Sequence, residues 1–382
     1  MVIRIGPGKV NYRPTWAEID LNALRHNFFE IKKLVGESVA VMVVVKGNAY
    51  GHGLVEVSRV LRDAGVDYLG VATIDEAIRL RERKIRVPIL LLGSVLEEEA
   101  EEAIKRDITL TLCSQELLRI IHDKAKRRKT RVKVHIKVDT GMGRIGIWHE
   151  DVLDFIKEVK NDRLLILEGV YTHFSSAGRD NFFTQYQIDA FSRILHELNE
   201  LKIHIPYRHA ANSIATVDKK MPELNLVRPG IIAFGIYPKR TFERVVDIKP
   251  VLSLRTRVVF LKDAPPGRSI SYGRTYITQK STKIATLPIG YADGYGRLLS
   301  NKAEVLIKGR LAPVVGKVTM DQTMIDVGHI EDVEIGDEVV LIGQQGDQSI
   351  TVERLARLAE TIPYEVLCSI SNRVPRSYKI QS

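Results

Sequence analysis

Several things are scarce in this sequence, and each shortage removes a class of protein. Cys113 and Cys368 are the two cysteines in 382 residues. They lie far apart and make neither a disulfide framework nor a zinc ligand set. No apolar run reaches the ~18 residues that a membrane span needs. The longest, VAVMVVV (39–45) and PILLLG (88–93), are strand-sized, so no membrane association is expected. The opening MVIRIGPGKV lacks a signal peptide's apolar core, which predicts a cytoplasmic protein. Low-complexity segments are absent, and 45% apolar with 27% charged residues excludes disorder or a collagen-like architecture for the bulk of the chain.

Positive charge is in modest surplus. Lysine and arginine number 57 against 47 acidic residues, a net +10. The bases are mixed with acids, as in IRLRERKIR (78–86) and EEEAEEAIKRD (97–107). No nucleic-acid motif accompanies them, so the expectation is no nucleic-acid partner but a surface that attracts small anions.

Apolar, β-branched runs recur from residue 39 to about 235. They are VAVMVVV (39–45), DYLGVAT (67–73), VPILLLGS (87–94), ITLTLCS (108–114), VKVHIKVDT (132–140), LEGVYTHFS (167–175), IPYRHAANS (205–213) and LVRPGIIAF (226–234). Between most of them lie amphipathic stretches such as GLVEVSRVLRDAG (53–65) and SQELLRIIHDKAKR (114–127). A further helical stretch, WAEIDLNALRHNFFEIKKLVG (16–36), precedes the first run. Eight strand–helix units over this length predict a closed parallel (β/α)8 barrel rather than an open doubly wound sheet. After about 247 the texture changes to short alternating segments broken by Gly, Pro and Asp, with one late helix at VERLARLAETI (352–362). The prediction is an α/β chain of two domains, a barrel over 1–247 and a mostly antiparallel β domain over 248–382.

Chemistry in such a barrel sits at the C-terminal ends of the strands. The first run ends in Lys46, whose stem must lie at the mouth of a buried strand. A desolvated ammonium loses its proton readily, the state a Schiff-base lysine needs. Gly47, Gly51 and Gly53 follow, with Tyr50 among them. The fifth run ends KVDTGMGRIG, with Lys137 and Arg144 about a glycine turn in which Asp139 and Arg144 would otherwise form a plain ion pair. The sixth ends at His173, and the seventh at His209, Asn212 and Ser213, where Asn212 and Ser213 also read as a helix cap. The eighth carries Arg228, with amides at Gly230 and Ile231 free to hold an anion. A phosphate anchor after strands seven and eight, together with one lysine, points to pyridoxal phosphate on a Schiff base.

VVVKGNAYGHG, KVDTGMGRIGI, YTHFSSA, HAANS, RPGIIAFGIYP, ISYGRTY, IGYADGYGR and KVTMDQTMIDV, in this order over essentially the whole chain, closely resemble the alanine racemases. The resemblance implies a pyridoxal-phosphate enzyme that interconverts L- and D-alanine and supplies D-alanine for peptidoglycan. It implies a homodimer whose active sites combine one barrel with the partner's β domain. Lys46 would bind the cofactor and act as one base, and Tyr272, from the other subunit, as the opposite base. Arg228 would bond the pyridine nitrogen with His173 supporting it. Tyr50, Ser213, Gly230, Ile231 and Tyr364 would hold the phosphate. Arg144 would contact the cofactor and the substrate carboxylate. Met320 and Asp321 would complete the pocket from the partner chain, and Tyr291 would line its entrance. Lys137 resembles the lysine that family members carry as a carbamate; none of these residues would be a metal ligand. Thr319 departs from the pattern, standing where many members have cysteine.

The implied chemistry is physically coherent. Two bases on opposite faces of Cα spare one base from swinging around the substrate. An arginine at the pyridine nitrogen keeps its own charge and leaves that nitrogen unprotonated, which weakens the electron sink and favours return of the proton to Cα. Competing readings are racemisation of serine or other amino acids, decarboxylation of basic amino acids, and a non-catalytic cofactor-binding protein; the YGHG, MGRIG and VTMDQ motifs and the β domain argue against the last two.

Overall fold

The computed structural model describes residues 3–4, 10–218 and 221–380. Most of the opening decapeptide, on which the reading of a missing signal peptide rests, lies outside the described residues. Eight parallel strands form the barrel: Ala40–Val44, Tyr68–Val71, Ile89–Leu91, Thr109–Leu112, Val132–Asp139, Leu165–Tyr171, Tyr207–His209 and Leu226–Val227. Seven fall within the apolar runs, and the sixth, Leu165–Tyr171, begins two residues before its run at 167–175. The last strand pairs with the first, Leu226 opposite Ala40. Between the seventh and eighth strands, closure rests on two backbone bonds, Asn225 N to Arg208 O at 3.2 Å and Arg228 N to Ala211 O at 2.8 Å. The strands are buried almost throughout because helices cover the outside and side chains fill the lumen.

The second domain is built on a six-membered ladder with one further strand attached. Its order is Arg310–Pro313, Glu304–Ile307, Glu338–Gln345, Leu252–Arg257, Trp16–Asp20, Arg376–Lys379. A separate antiparallel sheet joins Phe260–Ala264, Thr282–Leu287 and Thr323–Asp326. Trp16–Asp20 corrects the helical reading of 16–36. It is a strand, antiparallel to Leu252–Arg257 and parallel to Arg376–Lys379. Asp20 ends it and starts the helix Leu21–Val35, accepting from the amides of Asn22 and Ala23 at 2.9 Å. The stretch read as one helix at 352–362 is the helix Val352–Leu358; a second, Pro363–Ser369, follows with Pro363 in its first turn.

Helix Pro363–Ser369 carries the β domain to the barrel mouth. A Cβ on Gly51, whose φ is +83°, would stand 2.3 Å from Leu367 O, so only glycine lets the two backbones meet. The rings of Tyr50 and Tyr364 lie 5.9 Å apart across this junction.

Candidate active site

Lys46 follows the first barrel strand and opens a turn of uncommon hand. Gly47, Asn48, Ala49 and Tyr50 all have φ between +51° and +63°. Left-handed backbone costs ~1–2 kcal/mol for each residue with a Cβ, and such strain gathers at functional sites. Bonds from outside hold it. The amide of Asn48 donates to Glu76 Oε1 at 3.1 Å, Asn48 Oδ1 accepts from the amide of Leu54 at 3.0 Å, and His52 Nδ1 lies 2.9 Å from the carbonyls of both Ala49 and Tyr50. Lys46 itself is half-buried, and its nitrogen makes no hydrogen bond or ion pair among the described residues. Burial, and then the Arg144 charge, lower its pKa from the usual lysine range, with Glu76 opposing.

Arg228 lies on the floor of the same cavity and is buried. Its guanidinium donates to His209 Nδ1 at 2.8 Å, Thr172 O at 2.7 Å, Ala210 O at 3.1 Å and His173 Nδ1 at 3.3 Å. Nε has no partner. Burial lowers Arg228 to about 10, so it stays charged at neutral pH. Since arginine only donates, His173 and His209 must accept at Nδ1 and are neutral. Burial, reinforced by Arg228, pushes His173 down to about 3.

Asp139 does not pair with the Arg144 side chain as the plain reading had it. Its carboxylate instead accepts from the backbone amides of Gly141, Met142, Gly143 and Arg144 at 2.8–3.3 Å, shaping the loop that presents Arg144. Lys137 is buried beside it, donates to Val138 O at 2.6 Å and is lowered by burial to about 8.

These residues line one cavity of about 420 Å³. Its walls include Lys46, Tyr50, Lys137, Arg144, His173, Ser213, Arg228, Gly230 and Tyr364, four of them cations, and no carboxylate. Asn212 also lines it while capping the helix Ser213–Asp218, accepting from the amides of Ile214 and Ala215 at 3.1 Å. Ser213 Oγ accepts from the amide of Gly230 at 2.9 Å. A Cβ on Gly230 would meet Tyr50 Oη at 2.6 Å. The hydroxyls of Tyr50 and Tyr364 have no partner among the described residues. The Ile231 side chain packs into the core rather than lining the cavity. A bare cation set, two free phenols and a glycine cradle fit a phosphorylated aromatic cofactor and a carboxylate substrate. Sequence reading missed Tyr171, which lies beneath Arg228 with 5.2 Å from guanidinium to ring centre, and Glu76, which braces the lysine turn. Both sit among ordinary strand or helix residues and carry no local signal.

Tyr272, Tyr291, Met320 and Asp321 are not brought to this cavity within the chain. They cluster at one end of the β domain, all exposed, with Tyr272 at 69%. Ser271 Oγ donates to Lys317 O at 2.6 Å, and the amides of Tyr291 and Ala292 donate to Thr319 O and Met320 O at 3.0 Å. Arg373 bridges Asp321 at 2.6 Å and the buried Asp293 at 3.4 Å. Thr319 closes its own turn, donating to Gln322 O and accepting from Gln322 N. The Thr319 hydroxyl therefore serves the loop geometry.

A (β/α)8 barrel whose mouth holds a partly desolvated lysine among cations is an arrangement suited to an enzyme of small anionic molecules. The family profiles described as alanine racemase N-terminal domain and C-terminal domain match residues 19–238 and 251–378. The alanine racemase of Halothermothrix orenii is 49% identical over 368 residues, 96% of this chain and 97% of that one. The solved alanine racemase of Clostridium difficile superposes with a TM-score of 0.91 at 41% identity, covering 97% and 96% of the two chains. That of Bacillus anthracis, with bound L-Ala-P, gives 0.89 at 39% identity over 97% and 96%. The chain belongs to the alanine racemase family and is an isomerase.

Proposed function

We propose that this chain interconverts L- and D-alanine with pyridoxal phosphate joined to Lys46, as a homodimer, and so supplies D-alanine for peptidoglycan. The observation that carries the reading is the cavity with four cations and, among the described residues, no carboxylate, while Tyr272, Met320 and Asp321 of the same chain lie exposed and outside it. The division of labour follows. The barrel, with Tyr364 of the helix Pro363–Ser369 at its mouth, holds the cofactor, and the exposed Tyr272 end of the β domain reaches the partner's cavity.

Tyr50, Ser213, Gly230, Ile231 and Tyr364 would hold the phosphate of pyridoxal phosphate, and Arg228 would bond its pyridine nitrogen. Pyridoxal phosphate, when bound, acidifies the Cα–H bond of the amino acid joined to it. Arg144 orients the substrate carboxylate. Lys46 Nζ, its pKa lowered by burial, moves the proton on one face of Cα. Tyr272 Oη of the partner subunit moves it on the other. Met320 and Asp321 of the partner subunit wall the site, and Tyr291 of the partner subunit lines its entrance. Lys137 in its neutral form would add carbon dioxide and release a proton to solvent, and the resulting carbamate anion would fix Arg144.

The test is purified protein with pyridoxal phosphate and L-alanine in heavy water. D-alanine by chiral analysis, with deuterium at Cα by NMR, is expected. Cofactor bound without exchange would remove alanine as the substrate and bring serine and basic amino acids forward. No cofactor bound would overturn the role of Lys46.

A further inference from the structure

Arg228 is buried without a carboxylate partner among the described residues. Its acceptors are two carbonyls and two neutral imidazoles. One of those imidazoles leads further into the barrel. His209 accepts from Arg228 at Nδ1, so its proton is on Nε2, which lies 2.9 Å from His135 Nδ1. His135 must therefore accept there and carry its own proton on Nε2. That N–H is fully buried and has no hydrogen-bond partner; the nearest anion is Glu168 Oε2 at 4.0 Å. Burial holds both histidines neutral, His135 at about 3. The chain of donors thus runs in one direction, away from the cavity and toward one carboxylate.

Glu168 reaches the lumen by a local device. In the sixth strand Leu167 is opposite Val134 and Gly169 opposite His135, so Glu168 is an extra residue, a bulge. Strict alternation would put a neighbour of the lumen-facing Gly169 on the outer face; the bulge turns it inward. Its carboxylate then accepts from Tyr68 Oη at 2.7 Å, a phenol from the second strand, across the lumen. Gly169 completes the arrangement, since a Cβ there would stand 2.4 Å from His135 Nδ1. Bulge, glycine and cross-lumen phenol converge on the carboxylate beside His135.

We infer that Glu168, through His135 and His209, is a positioning residue for Arg228, fixing the tautomers that make His209 an acceptor and so the guanidinium's orientation and charge at the cavity floor. The inference rests on the proposed placement of Arg228 at the pyridine nitrogen. At 4.0 Å the Glu168 carboxylate favours the proton on His135 Nε2 through its charge rather than through a hydrogen bond; without that charge the chain reverses more readily. His135 would then carry its proton on Nδ1, His209 would be forced to do the same, and it would meet Arg228 donor to donor.

The test uses full-length protein with 15N-labelled histidine, with and without pyridoxal phosphate, as wild type, Glu168→Gln and Tyr68→Phe. Wild type is expected to show both His135 and His209 protonated on Nε2. Glu168→Gln should perturb both resonances, lower racemase kcat about tenfold with KM for alanine little changed, and raise the fraction of turnovers lost to transamination. Tyr68→Phe keeps the carboxylate and should act in the same direction, more weakly. An Nδ1-protonated His135 or His209 in wild type would overturn the inference. So would a folded Glu168→Gln protein whose tautomers and reaction partition match wild type. Failure of wild type to bind the cofactor would overturn the proposed function instead, and the tautomers read in the cofactor-free protein would still decide whether the chain is ordered.

Discussion

The guanidinium of Arg228 lies 5.2 Å over the ring of Tyr171, with neutral acceptors around it and no carboxylate beside it. This environment keeps a cation, not a shared proton, at the cavity floor. Arg228→Glu reverses that. A carboxylate there would hold a bound pyridine in its protonated form and strengthen it as an electron sink. The expected result is slower racemisation with a larger share of transamination, read by following D-alanine and pyruvate together. An unchanged ratio would reject the role.

Tyr272 is exposed at the far end of its own β domain, so a site built from two chains can be tested by mixing. Lys46→Ala and Tyr272→Phe should each be nearly inactive alone. Unfolded and refolded together in equal amounts, they should regain about a quarter of wild-type specific activity. Half of the dimers would be mixed, and each of these would hold one intact site. No recovery would place lysine and tyrosine in the same chain's site.

Buried neutral histidines make the fold sensitive to acid. Burial lowers His52 to about 4 and His135 and His173 to about 3, and His209 also falls well below its ordinary value. In the unfolded chain each takes up a proton near pH ~6.5. The unfolded state therefore binds more protons below that pH, and stability present above it is lost as pH falls toward the folded values. The slope is up to ~1.4 kcal/mol per pH unit for each histidine. Urea midpoints should drop steadily from pH 7 to pH 5; a flat profile over that window would be incompatible with four neutral imidazoles.

Asp139 organises its loop through backbone amides, so its removal should matter more than the loss of a surface ion pair. Asp139→Ala is expected to cost ~1–3 kcal/mol in denaturant unfolding and to raise KM for alanine as Arg144 loses its fixed loop. Unchanged stability and KM would show that the loop holds itself.

The barrel was legible because each strand is a continuous apolar run ended by a polar residue, and Lys46, Arg144, His173 and Arg228 could be located by asking what ends each run. Trp16–Asp20 was not legible. Its neighbours in the sheet lie over 230 residues away, and WAEID followed by a real helix reads locally as helix. Tyr171 and Glu168 belong to an ordinary strand sequence; a stacking contact and a bulge give them their places, and neither leaves a pattern in composition. The Asp139–Arg144 pair failed for a related reason. Opposite charges five residues apart suggest attraction, whereas nearby amides compete for the carboxylate at shorter range. Tyr272 among 13 tyrosines was reached only through family resemblance.

The sheet that places Trp16–Asp20 between Leu252–Arg257 and Arg376–Lys379 sets a timetable for synthesis. A ribosome releases the first of these strands long before the other two exist. The barrel has all eight strands once residue 227 has emerged, while the strand ahead of it waits for Leu252–Arg257 on one side and, more than a hundred residues later, for Arg376–Lys379 on the other. Pairing over so great a sequence separation is slow. A nascent chain stalled or cleaved shortly before Arg376 would carry a finished barrel with an open sheet edge on its neighbour, the kind of edge that recruits other chains.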